Sequence, residues 1–379
     1  MSGTSFAESH PDIVFVSFNY RLGILGFIDF SEVSGGEACP DAINLGLLDQ
    51  IAALTWIKEN IAAFGGDPDR ITVLGFDAGA TCICLLAASE RAKGLFQRAF
   101  VFNGSPDSAY KTPEASRVLA KALLKETNTS TMAELLRLDT QVLKDAAQRL
   151  WVNMCAPTCD GKLIPKQVYE AYRNGAASGI DFIIGITSGE MQALRSSFGS
   201  KNYNAAVKAA VDILQNDLDV SIAEVVRAYI EAQTASSSEL EAKSKLVGQW
   251  IMLGIYRIAA MLSQSGNRVY LMYWDEKALI ENLGSGTADV LATLLGNGDA
   301  LQMYGSVLNK DLSEALQTLL QKFINQKALQ LYSNEIKGVD AFLWKPFPQS
   351  LIVSDGEIQC DTIEDRITEV KELLEFAVS

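Results

Sequence analysis

"ITVLGFDAGA", Ile71 to Ala80, decides the fold. A β-branched apolar run breaks at Gly75-Phe76-Asp77-Ala78-Gly79, and the stretch "AGATCICLLAASE" follows at once. Apolar and β-branched before the break, small and helix-competent after it, the segment predicts a strand that turns sharply into a helix. The flanking glycines permit close backbone approach, and aspartate tolerates the positive φ of such a turn better than most residues.

Outward from this turn the same alternation continues. "DIVFVSFNYRLG", Asp12 to Gly23, has a continuous core of Val, Ile and Phe and predicts a strand buried on both faces. Ile51, Leu54, Ile57, Ile61 and Phe64 then fall near helical spacing, with Asn44 or Asp49 as the cap and Gly65-Gly66 as the stop. "FQRAFVFNGSP", "DFIIGITSGE" (Asp181 to Glu190) and "RVYLMYW" (Arg268 to Trp274) predict further strands. Thr112 to Gln148, residues 203–265 and "DLSEALQTLLQKFINQKAL" predict helices, and "FLWKPFPQSLIVSDGEIQC" a terminal hairpin. Strands separated by helices at this spacing make a mostly parallel central sheet flanked by helices, an α/β fold. No repeat or charge block marks a linker, so residues 1–379 read as one domain.

The net charge of −14 argues against nucleic-acid or anionic-membrane partners, which need clustered Lys and Arg. No apolar run reads as long enough to span a bilayer. The N-terminus "MSGTSFAESHPD" has neither a basic n-region nor an apolar h-region, which leans the reading toward the cytoplasm. Cys155 and Cys159 are spaced C-x3-C with no second pair and no histidine nearby, so neither zinc nor any other cofactor is implied. His10, the one histidine, precedes the Asp12–Gly23 run and reads as a surface or turn residue.

Several segments in order resemble the type B carboxylesterases, the cholinesterase-like branch of the α/β-hydrolases: "NYRLGILGF", "NLGLLDQIAALTWIKENIAAFGGDPDRITVLG", "KGLFQRAFVFNGS", "CDGKLIP", "IIGITSGE" and "VYLMYW". The resemblance implies an α/β-hydrolase fold with a nucleophile elbow reading G-E-S-A-G. Here Phe76 and Asp77 replace the Glu and Ser, while Gly75, Ala78 and Gly79 keep the frame. The family's acid falls on Glu190. Its histidine loop aligns with "GSGTADVLATLLGN", Gly284 to Asn297, and puts Thr287 where the base would be. The family's H-G-G-G segment, which supplies further oxyanion donors, would precede "NYRLG"; this chain begins after it, so the single domain is expected to be incomplete at its N-terminus. In such a sheet the strand before H-G-G-G lies between the Asp12–Gly23 strand and the Ile71–Phe76 strand. Two outcomes stay open: an unfilled gap, or direct pairing near Val14 and Val73.

Serine attack needs a nucleophile, a base and an oxyanion hole. The leading reading is therefore a carboxylesterase-like homologue without catalysis, in a vestigial or binding role, its occupant a protein partner or a small ester-like ligand in a residual pocket. The family resemblance implies such members, which serve in adhesion or recognition. A second reading makes Asp77 the nucleophile of an ester hydrolase, as in dehalogenase-like relatives, with Glu190 as the base. A third has Asp77 and Glu190 bridge a hard cation. A fourth uses another serine, Ser188 or Ser285, neither of them at an elbow.

Overall fold

The computed structural model describes residues 3–109, 112–150, 155–191, scattered positions in 192–236, and 237–276, 286–303, 307–332 and 341–363. The predicted strands form where the apolar runs lie: β1 (Thr72–Phe76), β2 (Arg98–Phe102), β3 (Asp181–Thr187) and β4 (Val269–Asp275). Two short strands, β5 (Gln330–Leu331) and β6 (Phe342–Leu343), pair with each other. The predicted hairpin is β7 (Ser350–Ser354) with β8 (Glu357–Asp361), and it joins the main sheet. The order is β1-β2-β3-β4-β7-β8, parallel from β1 to β7 and antiparallel at β8.

Alternation along the strands sends side chains into two cores. Ala99, Val101, Ile184, Leu271 and Ile352 face one core, built with α3 (Ala78–Ala87) and the Glu239–Gln264 helix. Phe100, Phe102, Ile183, Met272, Leu351 and Val353 face the other, closed by two helices, Thr287–Leu294 and Lys310–Ile324. In chain order the helices used below are α1 (Thr4–Ser9), α2 (Leu45–Asn60), α3, α4 (Glu239–Gln264), α5 (Thr287–Leu294) and α6 (Lys310–Ile324). A capping box starts α4: Glu241 N–H donates to Ser238 Oγ at 3.3 Å, and Ser238 N–H to Glu241 Oε2 at 2.9 Å.

Four expectations need correction. Asp12–Gly23 forms no strand; Val14, Phe15, Val16 and Phe18 are exposed, and β1 is the edge of the sheet. Apolar composition favours a strand, but a ladder needs a neighbour, and among the described residues none flanks this segment. No pairing joins the region of Val14 to that of Val73. Second, His10 is buried at 8% exposure, its Nε2 3.3 Å from Gln317 Oε1 on α6 and its ring 4.6 Å from that of Phe6. Third, Asn44 occupies the N-cap position of α2 without capping it: its side chain bonds backbone groups of Thr158, while Asp49 takes the Arg21 guanidinium. Fourth, α4 is long and apolar enough to cross a membrane, with a mean hydropathy of 1.4 in its most apolar window. Half of that window is buried, and the helix packs on β3 and β4, as a core helix does.

Candidate functional site

The carboxyl ends of β1, β2 and β3 lie side by side, and each delivers a polar residue. Asp77 follows β1 with φ 50° and ψ −118°, the strained turn expected at the elbow. Its N–H donates to Phe102 O at 2.9 Å, which anchors the turn to β2. Gly75 has to be glycine: a Cβ there would lie 2.6 Å from Gly79 O. Gly104 is equally tight, since its Cβ would meet Asp77 O at 2.4 Å. Ala78 opens α3 and is exposed.

Asn103 follows β2, also at positive φ, and its side chain is buried. Its Nδ2 lies 2.6 Å from Thr187 Oγ1, 2.7 Å from Glu190 Oε2 and 2.7 Å from Thr287 Oγ1. Its Oδ1 accepts from Thr187 N–H at 2.9 Å. Asn103 therefore ties β2 to β3 and to the start of α5. Motif reasoning misses it; the signal available was an Asn-Gly pair directly after an apolar strand.

Glu190 Oε2 collects donors. Thr287 N–H reaches it at 3.0 Å, Thr287 Oγ1 at 2.8 Å and Thr187 Oγ1 at 3.1 Å. The carboxylate thus sits at the N-terminus of α5, where the helix dipole favours negative charge. Thr287 Oγ1 also lies 3.0 Å from Asp77 Oδ1. The structure brings together Asp77, Glu190 and Thr287, with the threonine hydroxyl between the two carboxyls. Asp289, two residues after Thr287, is buried; its Oδ2 accepts from Gly286 N–H, and burial raises its carboxyl, with the Glu190 charge adding to the effect. Ser188 is exposed on the loop after β3, and Ser285 lies outside the described residues. Among the described residues no set of three or more His, Cys, Asp or Glu side chains is arranged to hold a metal ion.

Proton counting shows how this network is satisfied. A hydroxyl donates once, yet Thr287 faces two carboxyls and also receives Asn103. If Asp77 is protonated, it donates to Thr287 and Thr287 donates to Glu190, so both contacts between this hydroxyl and the carboxyls hold a proton. If Asp77 is ionised, the Thr287 hydroxyl donates to only one of the two carboxyls, and Glu190 keeps its bonds from Thr287 N–H and Thr187 Oγ1. The carboxyl environment agrees: burial first, then the Glu190 charge, push Asp77 up to about 7, against a lowering by the Thr287 bond. One face of the residue stays open to solvent. The chemistry present is a hydroxyl between two carboxyls, with no imidazole among the described residues of the site.

Comparison with known proteins agrees with this geometry. The profile of the carboxylesterase family matches residues 1–350. The para-nitrobenzyl esterase of Bacillus subtilis is 34% identical over 238 residues, 60% of this chain and 48% of that protein. Mouse neuroligin-2 is 37% identical over 49% of this chain and 22% of its own length, and Drosophila neurotactin 39% over 38% and 16%. The chain thus spans less than half the length of these relatives. A solved carboxylesterase of Geobacillus stearothermophilus superposes with a TM-score of 0.80 at 27% identity, over 97% of this chain and 77% of that one.

Proposed function

Because this chain belongs to the carboxylesterase family, we propose that it is a non-catalytic member whose work is binding. The observation that carries the reading is Thr287: a hydroxyl with no basic lone pair stands between Asp77 and Glu190. Acyl transfer requires a base that takes the nucleophile's proton and later returns it. A threonine hydroxyl cannot do this near neutral pH, whatever the state of Asp77. The network is better suited to holding the carboxyl ends of β1, β2 and β3 rigid.

The occupant we infer is a protein partner or a small ester-like ligand at the elbow end of the sheet. Relatives named neuroligin and neurotactin, beside esterases, support the protein partner. The free edge of β1 supports a further reading, in which these residues are part of a larger fold whose next strand covers that edge.

The test is hydrolysis of a short-chain p-nitrophenyl ester by the wild-type protein, Asp77→Ala and Asp77→Ser. Background rates for the wild type and Asp77→Ala are expected, and Asp77→Ser stays at background too because it still lacks a base. Turnover that disappears in Asp77→Ala would instead make Asp77 the nucleophile and refute this reading. Turnover unaffected by Asp77→Ala would place activity at another group.

A further inference from the structure

Among the described residues the outer edge of β1 has no neighbour. Ile71 O accepts from Gln97 N–H, and Asp77 N–H donates to Phe102 O, so the odd-numbered residues here bond toward β2. By alternation Thr72, Leu74 and Phe76 turn their N–H and C=O groups the other way. A row of free donors and acceptors at strand spacing is a template for a further strand.

The Asp12–Gly23 segment is unpaired as well. Asp12 accepts from Gln321 and Asn325 of the α6 region, and Asn325 in turn accepts from Arg70, two residues before β1. One end of the segment is therefore a single side-chain relay from the start of β1. Its other end is tied to α2, where Arg21 N–H and Nε donate to Asp49 at 3.0 and 2.7 Å. Between these ties Val14 to Tyr20 make no backbone hydrogen bond among the described residues. Val14, Phe15, Val16 and Phe18 are 36–42% exposed, so solvent reaches them, and no charged residue falls between Ile13 and Tyr20.

These features select the occupant. Only a polypeptide backbone offers N–H and C=O groups at the spacing that the β1 edge presents, and the uncharged apolar stretch beside the Asp12 tie suits apolar side chains. Charge selects the source. Two copies of this chain carry −14 each and repel, whereas a strand flanked by basic residues is attracted by the same field. We propose that the outer edge of β1 takes up an extended apolar strand, flanked by Lys or Arg, from a different polypeptide. The sheet then continues beyond β1 with a strand supplied from outside the chain. The inference rests on the open edge and not on Asp77, so it stands or falls apart from the chemistry of the elbow.

The probe is a fluorescent synthetic peptide of about seven Val, Ile and Thr residues between lysine pairs, titrated with the full chain in dilute buffer and read by anisotropy. Two further peptides carry N-methyl groups on alternate residues, one in each phase. All three have the same charge, but each methylated form lacks the donors of one edge. The unmodified peptide is expected to bind saturably, and one methylated phase to bind at least about tenfold more weakly than the other. Leu74→Pro removes an outward N–H that β2 does not use and should weaken the unmodified peptide by about tenfold as well. Should Leu74→Pro fail to fold, the three peptides carry the test on the wild type. Equal binding of all three would reduce the attraction to charge alone and overturn the proposal, as would no binding. Sedimentation of the chain in the same buffer covers the other occupant: a dimer that the peptide does not dissociate would give the edge to a second copy, and the proposal would fall.

Discussion

The two ends of one sheet make opposite use of buried polar groups. At the carboxyl end, Asp77, Asn103, Thr187, Glu190 and Thr287 bond one another. At the amino end, Arg98 and Thr72 are as deeply placed but have orphaned atoms. The difference teaches that burial alone does not say whether a polar side chain stabilises a fold. A satisfied network is costly to cut, whereas an unsatisfied group is costly to keep.

Mutations can break or sharpen this contrast. The largest expected effect is Asn103→Gly, which keeps the positive φ but removes the donor shared by β3 and α5; about 3 kcal/mol should be lost in urea unfolding. Thr287→Val should cost about 2 kcal/mol, since it removes the hydroxyl that bridges the two carboxyls. At the other end the sign should invert. Arg98→Met should gain about 1 kcal/mol by removing a buried guanidinium with two unpartnered nitrogens. If Asn103→Gly and Arg98→Met lose stability equally, the contrast between the ends is wrong.

Asp77→Asn sharpens the proton argument. With its folded-state value raised to about 7 from an unfolded value of 3.8, Asp77 contributes stability that is complete below pH 3.8 and lost as pH rises through 7. The variant should therefore be more stable than wild type at pH 8, by about 1 kcal/mol once solvent on the open face of the residue is allowed for. The difference should vanish near pH 4, and a pH-independent difference would dispose of the raised Asp77 value. The smallest effect is Thr72→Val, an isosteric change that should gain about 0.5 kcal/mol.

Much of this was legible in the chain. Apolar, β-branched runs ending in turn residues located β1 to β4, because strands buried on both faces must be apolar throughout. The family resemblance implied one site for Asp77, Glu190 and Thr287, and in the structure hydrogen bonds join the three side chains. What stayed hidden depends on partners remote in sequence. Asn103 matters through a register that sets β2 beside β3, with Thr187 84 positions away. His10 is buried because Gln317, 307 residues on, folds over it. Arg98 reads as a charge at the start of an apolar strand; only the sheet shows that two of its nitrogens are buried without partners. The Asp12–Gly23 segment misled for the converse reason. Its residues suit a strand, but pairing belongs to the neighbour as much as to the segment.

That segment has a consequence for how copies of the protein behave toward one another. Val14, Phe15, Val16 and Phe18 are exposed, and β1 has no outer partner strand among the described residues; each feature favours association between molecules. A net charge of −14 holds copies apart, but only over the range that ions in solution permit. Colloidal behaviour should therefore turn on salt. Dilute buffer favours dispersed molecules, and physiological ionic strength shortens the repulsion to about 8 Å, letting the sticky edges meet.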